Sequence, residues 1–318
     1  MNDYIIRKIK KKTSKKIYHK FYDKKMDEIC HKKTINNLIE NIYIPPAYNN
    51  VKINCNKNQK IRAIGYDMKG RPQYIYHKEF IQEQKDKKFD HMIDFGKQFH
   101  KMNKQINLDL NSSNKIENQV AIILKLIMDC QFRIGNEKYF KDNKSYGTTT
   151  LEKKHLKMNK KSIKIDFIGK KNIRNTCSVK NKKVVQILKK RNKSLKNKND
   201  KIFNISSKQV NDYLKKFGDF SAKNFRTWGA NIELISKLCK FSNFNQSYTK
   251  TEIKNILNES IKKVAHRLHN TTSVCKSNYL DPELIKFFLN DYKKFLSLFC
   301  DNSREKISKN YVLFLEKL

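Results

Sequence analysis

At 318 residues the chain is long enough for about two domains, and its apolar share of 38% is enough for packed cores although low for a globular protein. The missing share has gone to charge: 70 Lys+Arg against 30 Asp+Glu give a formal net charge of +40. A field of that sign repels itself unless an anionic partner neutralises it, which points to nucleic acid, because each Lys or Arg docked on a phosphate releases condensed counterions.

In chain order, the first eighty residues hold three of the four prolines (Pro45, Pro46 and Pro72) and short alternating runs, VKINC at 51–55, IRAIGY at 61–66 and QYIYH at 73–77. Alternation broken by turn residues predicts a small sheet domain. From Gln82 to Phe89 the chain turns polar, as QEQKDKKF, and the domain junction is placed there, giving 1–82 and 83–318. Residues 118–130, NQVAIILKLIMDC, read as a mostly buried helix. Ile163, Ile165 and Phe167 alternate, Gly169-Lys170-Lys171-Asn172 reads as a turn, and TCSV at 176–179 is a candidate return strand. The lysine- and asparagine-rich stretch 189–201 is expected to be an exposed loop. Thr249 and Glu252 fit a capping box, and Ile253, Ile256, Leu257, Val264 and Leu268 fall on one face of a helix over 249–268. The whole is an α+β chain, a small β-rich unit followed by a larger, mainly helical one with a β-hairpin.

The seven cysteines (30, 55, 130, 177, 239, 275 and 300) are odd in number and contain no CxxC pair, so reduced thiols inside a cell are expected rather than disulfides or a zinc module. No apolar run approaches the ~18 residues that span a bilayer. The first residues, MNDYIIRKIKKKTSKK, lack an apolar stretch of signal-peptide length. Neither a membrane-embedded nor a secreted protein is expected.

Cleaving a phosphodiester takes a nucleophile, charge on the phosphate oxygens and a proton for the leaving oxygen. Many nucleases gather Mg²⁺ on clustered carboxylates; no such cluster is evident here, and five segments, the last two joined, suit a metal-free site instead. Arg133, in QFRIGNEKYF at 131–140, stands where the buried helix ends and suits a bidentate grip on phosphate. Lys170 stands on the hairpin turn in DFIGKKN, 166–172. In FSAKNFRTWGAN, 220–231, Ser221 is a candidate N-cap, and Lys223 and Arg226 share one face of the helix that follows, at its positive end. Trp228, the single tryptophan, lies off that face and is expected in the core. In LHNTTSVCKSNYLDP, 268–282, the long helix ends at His269-Asn270 and Tyr279, a residue type able to act as a covalent nucleophile, follows nine residues after Asn270.

The ordered series Arg133, Lys170, Lys223-x-x-Arg226, Asn270, Tyr279 resembles the catalytic set of the type IB DNA topoisomerases, of the small poxvirus-like and bacterial type. RIGNEKYFKDNKSYGTTTL at 133–151, FIGKK at 167–171, KNFRTWGAN at 223–231 and LHNTTSVCKSNYLDP look like the corresponding family segments, and GRPQYIYH at 70–77 is similar to the DNA-contacting strand of the small N-terminal domain. The resemblance spans roughly residues 60–285. It implies that Tyr279 attacks in line, leaving a 3′-phosphotyrosyl enzyme and a free 5′-hydroxyl. Arg133 and Arg226 would stabilise the non-bridging oxygens, Lys170 would protonate the 5′ oxygen with help from Arg133, and Lys223 would support the phosphate site. The 5′-hydroxyl would reverse the reaction after rotation, relaxing supercoils without ATP, metal or any cofactor. The implied partner is duplex DNA, held by a monomer that clamps it, with no membrane and no obligatory protein partner. The implied location is intracellular and, for a viral protein, sites of viral DNA replication or the virion.

One position departs from the poxvirus pattern, which has histidine nine residues before the nucleophile where this chain has Asn270; bacterial-type members carry asparagine there. The amide still donates a hydrogen bond but carries no charge. The neighbouring His269, one position along a helix end, should point elsewhere, and stays open as a substitute. On the strand, Gln73, Tyr74 and Tyr76 are candidate DNA contacts, with Tyr74 expected to face away from Gln73 and Tyr76, and one tyrosine to pack inward. Tyr139 is a further candidate contact. Two rivals remain. A tyrosine recombinase shares the chemistry but has histidine three residues before the second arginine, where Lys223 stands here; a non-catalytic basic DNA-packaging protein explains the charge but not the ordered segments.

Overall fold

The computed structural model describes residues 3–241, 247–300 and 303–317, and these divide into two compact units, 1–88 and 89–318. The first is built on a five-stranded antiparallel sheet in the order β2-β1-β3-β4-β5, whose strands are β1 (Tyr4–Lys12), β2 (Ile17–Tyr22), β3 (Asn49–Asn54), β4 (Ile61–Tyr66) and β5 (Pro72–Tyr76). Helix α1 (Lys32–Ile39) lies between β2 and β3 in the chain. The three alternating runs form β3, β4 and β5, and Val51, Ile53 and Ala63 supply fully buried side chains. Sequence reading passed over β1 and β2 because lysine masks their alternation. In β1, Ile5 and Arg7 both turn inward, and Arg7 donates to the carbonyls of Ile44 (3.2 Å), Pro45 (2.7 Å) and Tyr48 (3.2 Å). A buried guanidinium is tolerable there because three main-chain oxygens replace its water.

Helix α2 (Lys78–Asp109) contains the polar stretch 82–89, and the division between the units falls inside it. The second unit continues with α3 (Lys115–Cys130) and α4 (Glu137–Asn143), then β6 (Leu156–Met158), β7 (Ile163–Ile168) and β8 (Arg174–Val179). After these come α5 (Lys182–Ser194), α6 (Ser207–Leu214), α7 (Ala222–Phe241), α8 (Lys250–Arg267), α9 (Thr272–Asn278), α10 (Pro282–Asn290), α11 (Tyr292–Phe299) and α12 (Arg304–Leu315). Helix α3 is the buried centre, with Val120 through Leu124, Leu126 and Ile127 fully enclosed. The strands form a sheet in the order β6-β7-β8, with Ile163, Ile165 and Phe167 turned into the core.

The capping box of α8 forms as its sequence demands: the Glu252 amide donates to Thr249 Oγ1 (3.3 Å) and the Thr249 amide to Glu252 Oε2 (2.8 Å). Trp228 is 1% exposed and belongs to the core. Three expectations need correction. The stretch 189–201 is helical as far as Ser194, because Val184, Val185 and Leu188 give α5 an apolar face that outweighs the lysines beside it. Four of the seven cysteines are paired, as Cys130–Cys177 and Cys239–Cys300, leaving Cys30, Cys55 and Cys275 free among the described residues. Separations of 47 and 61 residues leave no local spacing pattern to read. Finally, Tyr74 does not face away from Tyr76: residues two apart share a face of a strand, and the two rings stack at 6.3 Å. The inward-turned residue of β5 is Ile75, packed on the small core, so neither tyrosine plays that part.

Candidate active site

Chain geometry at the end of α3 fixes Arg133. Gln131 closes the helix in the left-handed region (φ 55°), and its amide still reaches the Ile127 carbonyl at 2.9 Å. Two of the residues that follow, Arg133 and Ile134, are clamped by Thr148 and Thr149. The amide and hydroxyl of Thr148 both donate to the Arg133 carbonyl (2.9 and 3.1 Å), and those of Thr149 to the Ile134 carbonyl (2.7 and 3.0 Å). Gly135 sits at φ 92°, against Gly147, where a side chain would be strained by backbone conformation and crowded by main chain. The Arg133 backbone is therefore held while its side chain stays half-buried and reaches Asn270 Oδ1 at 2.6 Å.

Asn270 is delivered by the way α8 ends. His269 adopts φ 54°, its amide bonds to the His266 carbonyl (3.1 Å), and the Asn270 amide bonds to the Ala265 carbonyl (3.0 Å). That is a Schellman closure with a histidine where glycine is usual. It turns the two neighbours apart. His269 stacks on Phe132, ring centroids 5.6 Å apart, and burial pulls its imidazole down to about 4, so it is neutral at physiological pH. Asn270 is the one that meets Arg133, and its Nδ2 is buried with no hydrogen-bond partner among the described residues. Phe132 also meets Phe167 of β7 edge-on at 4.9 Å. One ring thus ties the Arg133 segment to both the α8 end and the hairpin.

Helix α7 carries the second arginine and holds the tyrosine. Arg226 is 4% exposed and Tyr279 8%. Arg226 Nη1 donates to the Tyr279 hydroxyl at 2.9 Å and Nη2 to the Leu268 carbonyl at 3.0 Å, with the guanidinium 5.0 Å from the Tyr279 ring centre. Burial lowers this guanidinium to about 10; the Tyr279 hydroxyl opposes the shift and the Arg133 charge adds to it, and Arg226 stays protonated at neutral pH. Five residues on, Asn231 is fully buried. Its Nδ2 donates to the Thr227 and Tyr279 carbonyls (both 3.0 Å), and its Oδ1 accepts the Asp281 amide (2.9 Å). Asp281 in turn caps α10 through the Glu283 amide (2.9 Å) and accepts the Tyr311 hydroxyl (3.0 Å). The backbone at Tyr279 and just after it is therefore anchored to the helix that bears Arg226.

Arg133–Asn270 and Arg226–Tyr279 are two hydrogen-bonded pairs brought together at the end of α8, where Arg226 holds the Leu268 carbonyl two residues before Asn270. Lys170 is exposed on the β7–β8 turn, beside Lys171 and Asn172 in the left-handed region. Lys223 is exposed at the start of α7, whereas Arg226, three residues on, is enclosed. In the first unit, Gln73 donates to Asp67 Oδ2 (3.2 Å), whose carboxyl is held at about 2 chiefly by Arg71, and Tyr74 is half exposed. Tyr139 is 59% exposed on α4.

Residues 77–297 match the model of the eukaryotic DNA topoisomerase I catalytic core. The chain belongs to the type IB topoisomerases. The DNA topoisomerase 1B of Acanthamoeba polyphaga mimivirus is 30% identical over 81% of each chain. That of vaccinia virus (strain Copenhagen) is 27% identical over 70% of this chain and 71% of its own. DNA topoisomerase 1 of Schizosaccharomyces pombe is 30% identical over 59% of this chain but only 22% of its own length. The core match takes in Arg133, Lys170, Lys223, Arg226, Asn270 and Tyr279; Gln73, Tyr74 and Tyr76 lie before it. Within this topoisomerase, sequence reasoning missed the residues that hold the site: Phe132, Thr148, Thr149 and Asn231. Only Asn231 left a signal, as an amide in the mostly apolar run ANIELI, 230–235, beside the single acid Glu233.

Proposed function

We propose that this topoisomerase relaxes supercoiled duplex DNA by cutting one strand through Tyr279. The phenolic oxygen attacks phosphorus as its proton passes to solvent water, a phosphotyrosine ester forms at the 3′ side, and the bond from phosphorus to the 5′ oxygen breaks. Lys170 delivers the proton that the departing 5′ oxygen needs, and Arg133 and Arg226 take up charge on the non-bridging oxygens, with Asn270 as a neutral donor and Lys223 as an outer cation. Because one phosphoester replaces another, the 5′-hydroxyl reverses the step after rotation with no need of ATP. Fixed cations meet the charge, so no metal enters the scheme. The chain acts as a monomer on duplex DNA, with Gln73, Tyr74, Tyr76 and Tyr139 as contacts.

The observation that carries this reading is the 2.9 Å hydrogen bond from a buried Arg226 to the Tyr279 hydroxyl. A tyrosine placed only for packing has no need of a charged donor at its oxygen, whereas a nucleophile beside a phosphate does. The test is relaxation of supercoiled plasmid in EDTA without ATP, with denaturing gels to trap the adduct. Relaxation and a 3′-linked adduct, both absent in Tyr279→Phe while DNA binding persists, are expected; relaxation by Tyr279→Phe would overturn the assignment.

A further inference from the structure

The turn that carries Lys170 is held more firmly than its exposure implies. Lys171 and Asn172 both lie in the left-handed region, at φ 61° and 60°. Residues other than glycine keep that conformation only where the surroundings over-determine it. The hold comes from β8. Residues 175, 177 and 179 of that strand stand opposite Phe167, Ile165 and Ile163 of β7, on the face turned to the core. Asn175 is 3% exposed there, a place where packing alone favours a hydrophobe, because a buried amide costs stability unless it is hydrogen-bonded. Its Nδ2 donates to the Ile173 carbonyl at 2.8 Å, and the Gly169 amide donates to the same oxygen at 2.8 Å. One carbonyl thus gathers the residue before Lys170 and the strand after it. The fit is close: a Cβ on Gly169 would come within 2.6 Å of Asn175 Nδ2, so the amide fills the space that the glycine leaves. One residue earlier, the Ile168 carbonyl accepts the Tyr146 amide at 3.0 Å, and Thr148 grips the Arg133 carbonyl. The turn and Arg133 are therefore both tied to one short stretch, 146–149.

We propose that Asn175 is the positioning residue for Lys170, its buried amide fixing the turn so that the ammonium meets the departing 5′ oxygen. This rests on the reading of Lys170 as the general acid. The proton passes from the Lys170 ammonium to the 5′ oxygen as the bond from that oxygen to phosphorus breaks; Asn175 touches no reacting atom and passes no proton. Without the amide, the Ile173 carbonyl loses one of its two donors, and Lys171 and Asn172 are released from the left-handed region. Lys170 then spends its time where its proton is out of reach of the leaving oxygen. Protonation of the leaving group is the step that suffers, because Tyr279, Arg133 and Arg226 are held by other contacts.

The experiment is single-turnover formation of the covalent adduct by the full chain at saturating duplex DNA. One mapped cleavage site is made with either an ordinary 5′ oxygen or a 5′-bridging sulfur, whose thiolate leaves without a proton. Asn175→Ala should cleave the oxygen substrate roughly 10²-fold more slowly and the sulfur substrate nearly as fast as the parent chain, with DNA affinity little changed. Combined with Lys170→Ala, it should slow the oxygen substrate no further than Lys170→Ala alone, because residues that act through one proton are not additive. Gly169→Ala, whose methyl group displaces the amide from the other side, should show the same selective loss, and it settles the question if Asn175→Ala does not fold. Equal impairment on both substrates would make Asn175 a structural residue only, and full activity on both would make it dispensable; either result overturns the proposal. The two readings fail separately. A Lys170→Ala chain that sulfur does not rescue removes the general acid and this proposal with it, whereas rescue of Lys170→Ala but not of Asn175→Ala removes the proposal alone.

Discussion

Replacing Asn231 by alanine should damage both the stability and the cleavage step of this topoisomerase, although Asn231 touches no substrate. Its side chain holds the Tyr279 carbonyl at 3.0 Å and the Asp281 amide at 2.9 Å. Asn231→Ala leaves both main-chain groups buried without partners, at ~1–3 kcal/mol each. Taking about 3 kcal/mol in total, and about 2–4 °C per kcal/mol for a unit of this size, the melting temperature should fall by about 6–12 °C. The chemical cost has a separate origin. Freed of its anchor, the Tyr279 backbone can drift relative to Arg226, and a displacement of about 1 Å costs roughly 10²-fold in rate. Calorimetry reads the first effect, and single-turnover formation of the covalent adduct at saturating DNA reads the second, with DNA affinity little changed. An unchanged melting temperature together with an unchanged cleavage rate would refute the argument that this amide positions the nucleophile.

For Lys170→Ala, cleavage of an ordinary substrate should slow, while a 5′-bridging phosphorothiolate, whose thiolate leaves without a proton, should recover much of the rate; equal impairment on both would count against a general acid. Burial depresses His155 and His269 alike to about 4, and His155 Nδ1 accepts the Glu152 amide at 3.0 Å, which requires the neutral ring. Unfolded histidine titrates near ~6.5, so between there and about 4 the unfolded chain takes up protons that the folded one refuses, and stability should fall as pH falls through that window. His155→Gln should flatten the slope of melting temperature against pH, whatever it does to the midpoint itself; an unaltered slope would remove His155 from the account. The pairing of Cys130 with Cys177 and of Cys239 with Cys300 leaves three thiols to titrate in denaturant without reductant. Seven reactive thiols would show both bridges absent, and their reduction should otherwise cost about 2–4 kcal/mol of stability.

What could be read from the sequence was whatever a short stretch specifies alone. The capping box of α8, the alternation of β7 and the apolar density of α3 are local patterns, and each produced the element it implies. The proposed catalytic series could be assembled for the same reason, since each member sits in its own short motif. Contacts between distant segments were not. Arg133 meets Asn270 across 137 residues and Arg226 meets Tyr279 across 53, and no spacing announces either pairing. Strands β1 and β2 stayed hidden because lysine stems line a sheet without registering as apolar, and because Arg7 turns inward where a hydrophobe would be expected. The facing of Tyr74 was a misapplied parity rather than a missing signal: a strand repeats every two residues, so 74 and 76 had to share a side.

The clasps around the site grip main-chain atoms: Thr148 and Thr149 take the Arg133 and Ile134 carbonyls, and Asn231 takes the Tyr279 carbonyl. Every residue type supplies those atoms. A change of the proposed reactive side chain alone, Tyr279→Phe, leaves the clasp in place. Heredity can therefore silence this chemistry one residue at a time without dissolving the scaffold. A lineage relieved of the need to cut DNA would keep the shape and the charge long after the reaction was gone, and a likeness of fold among its descendants would be poor testimony that any of them still cuts.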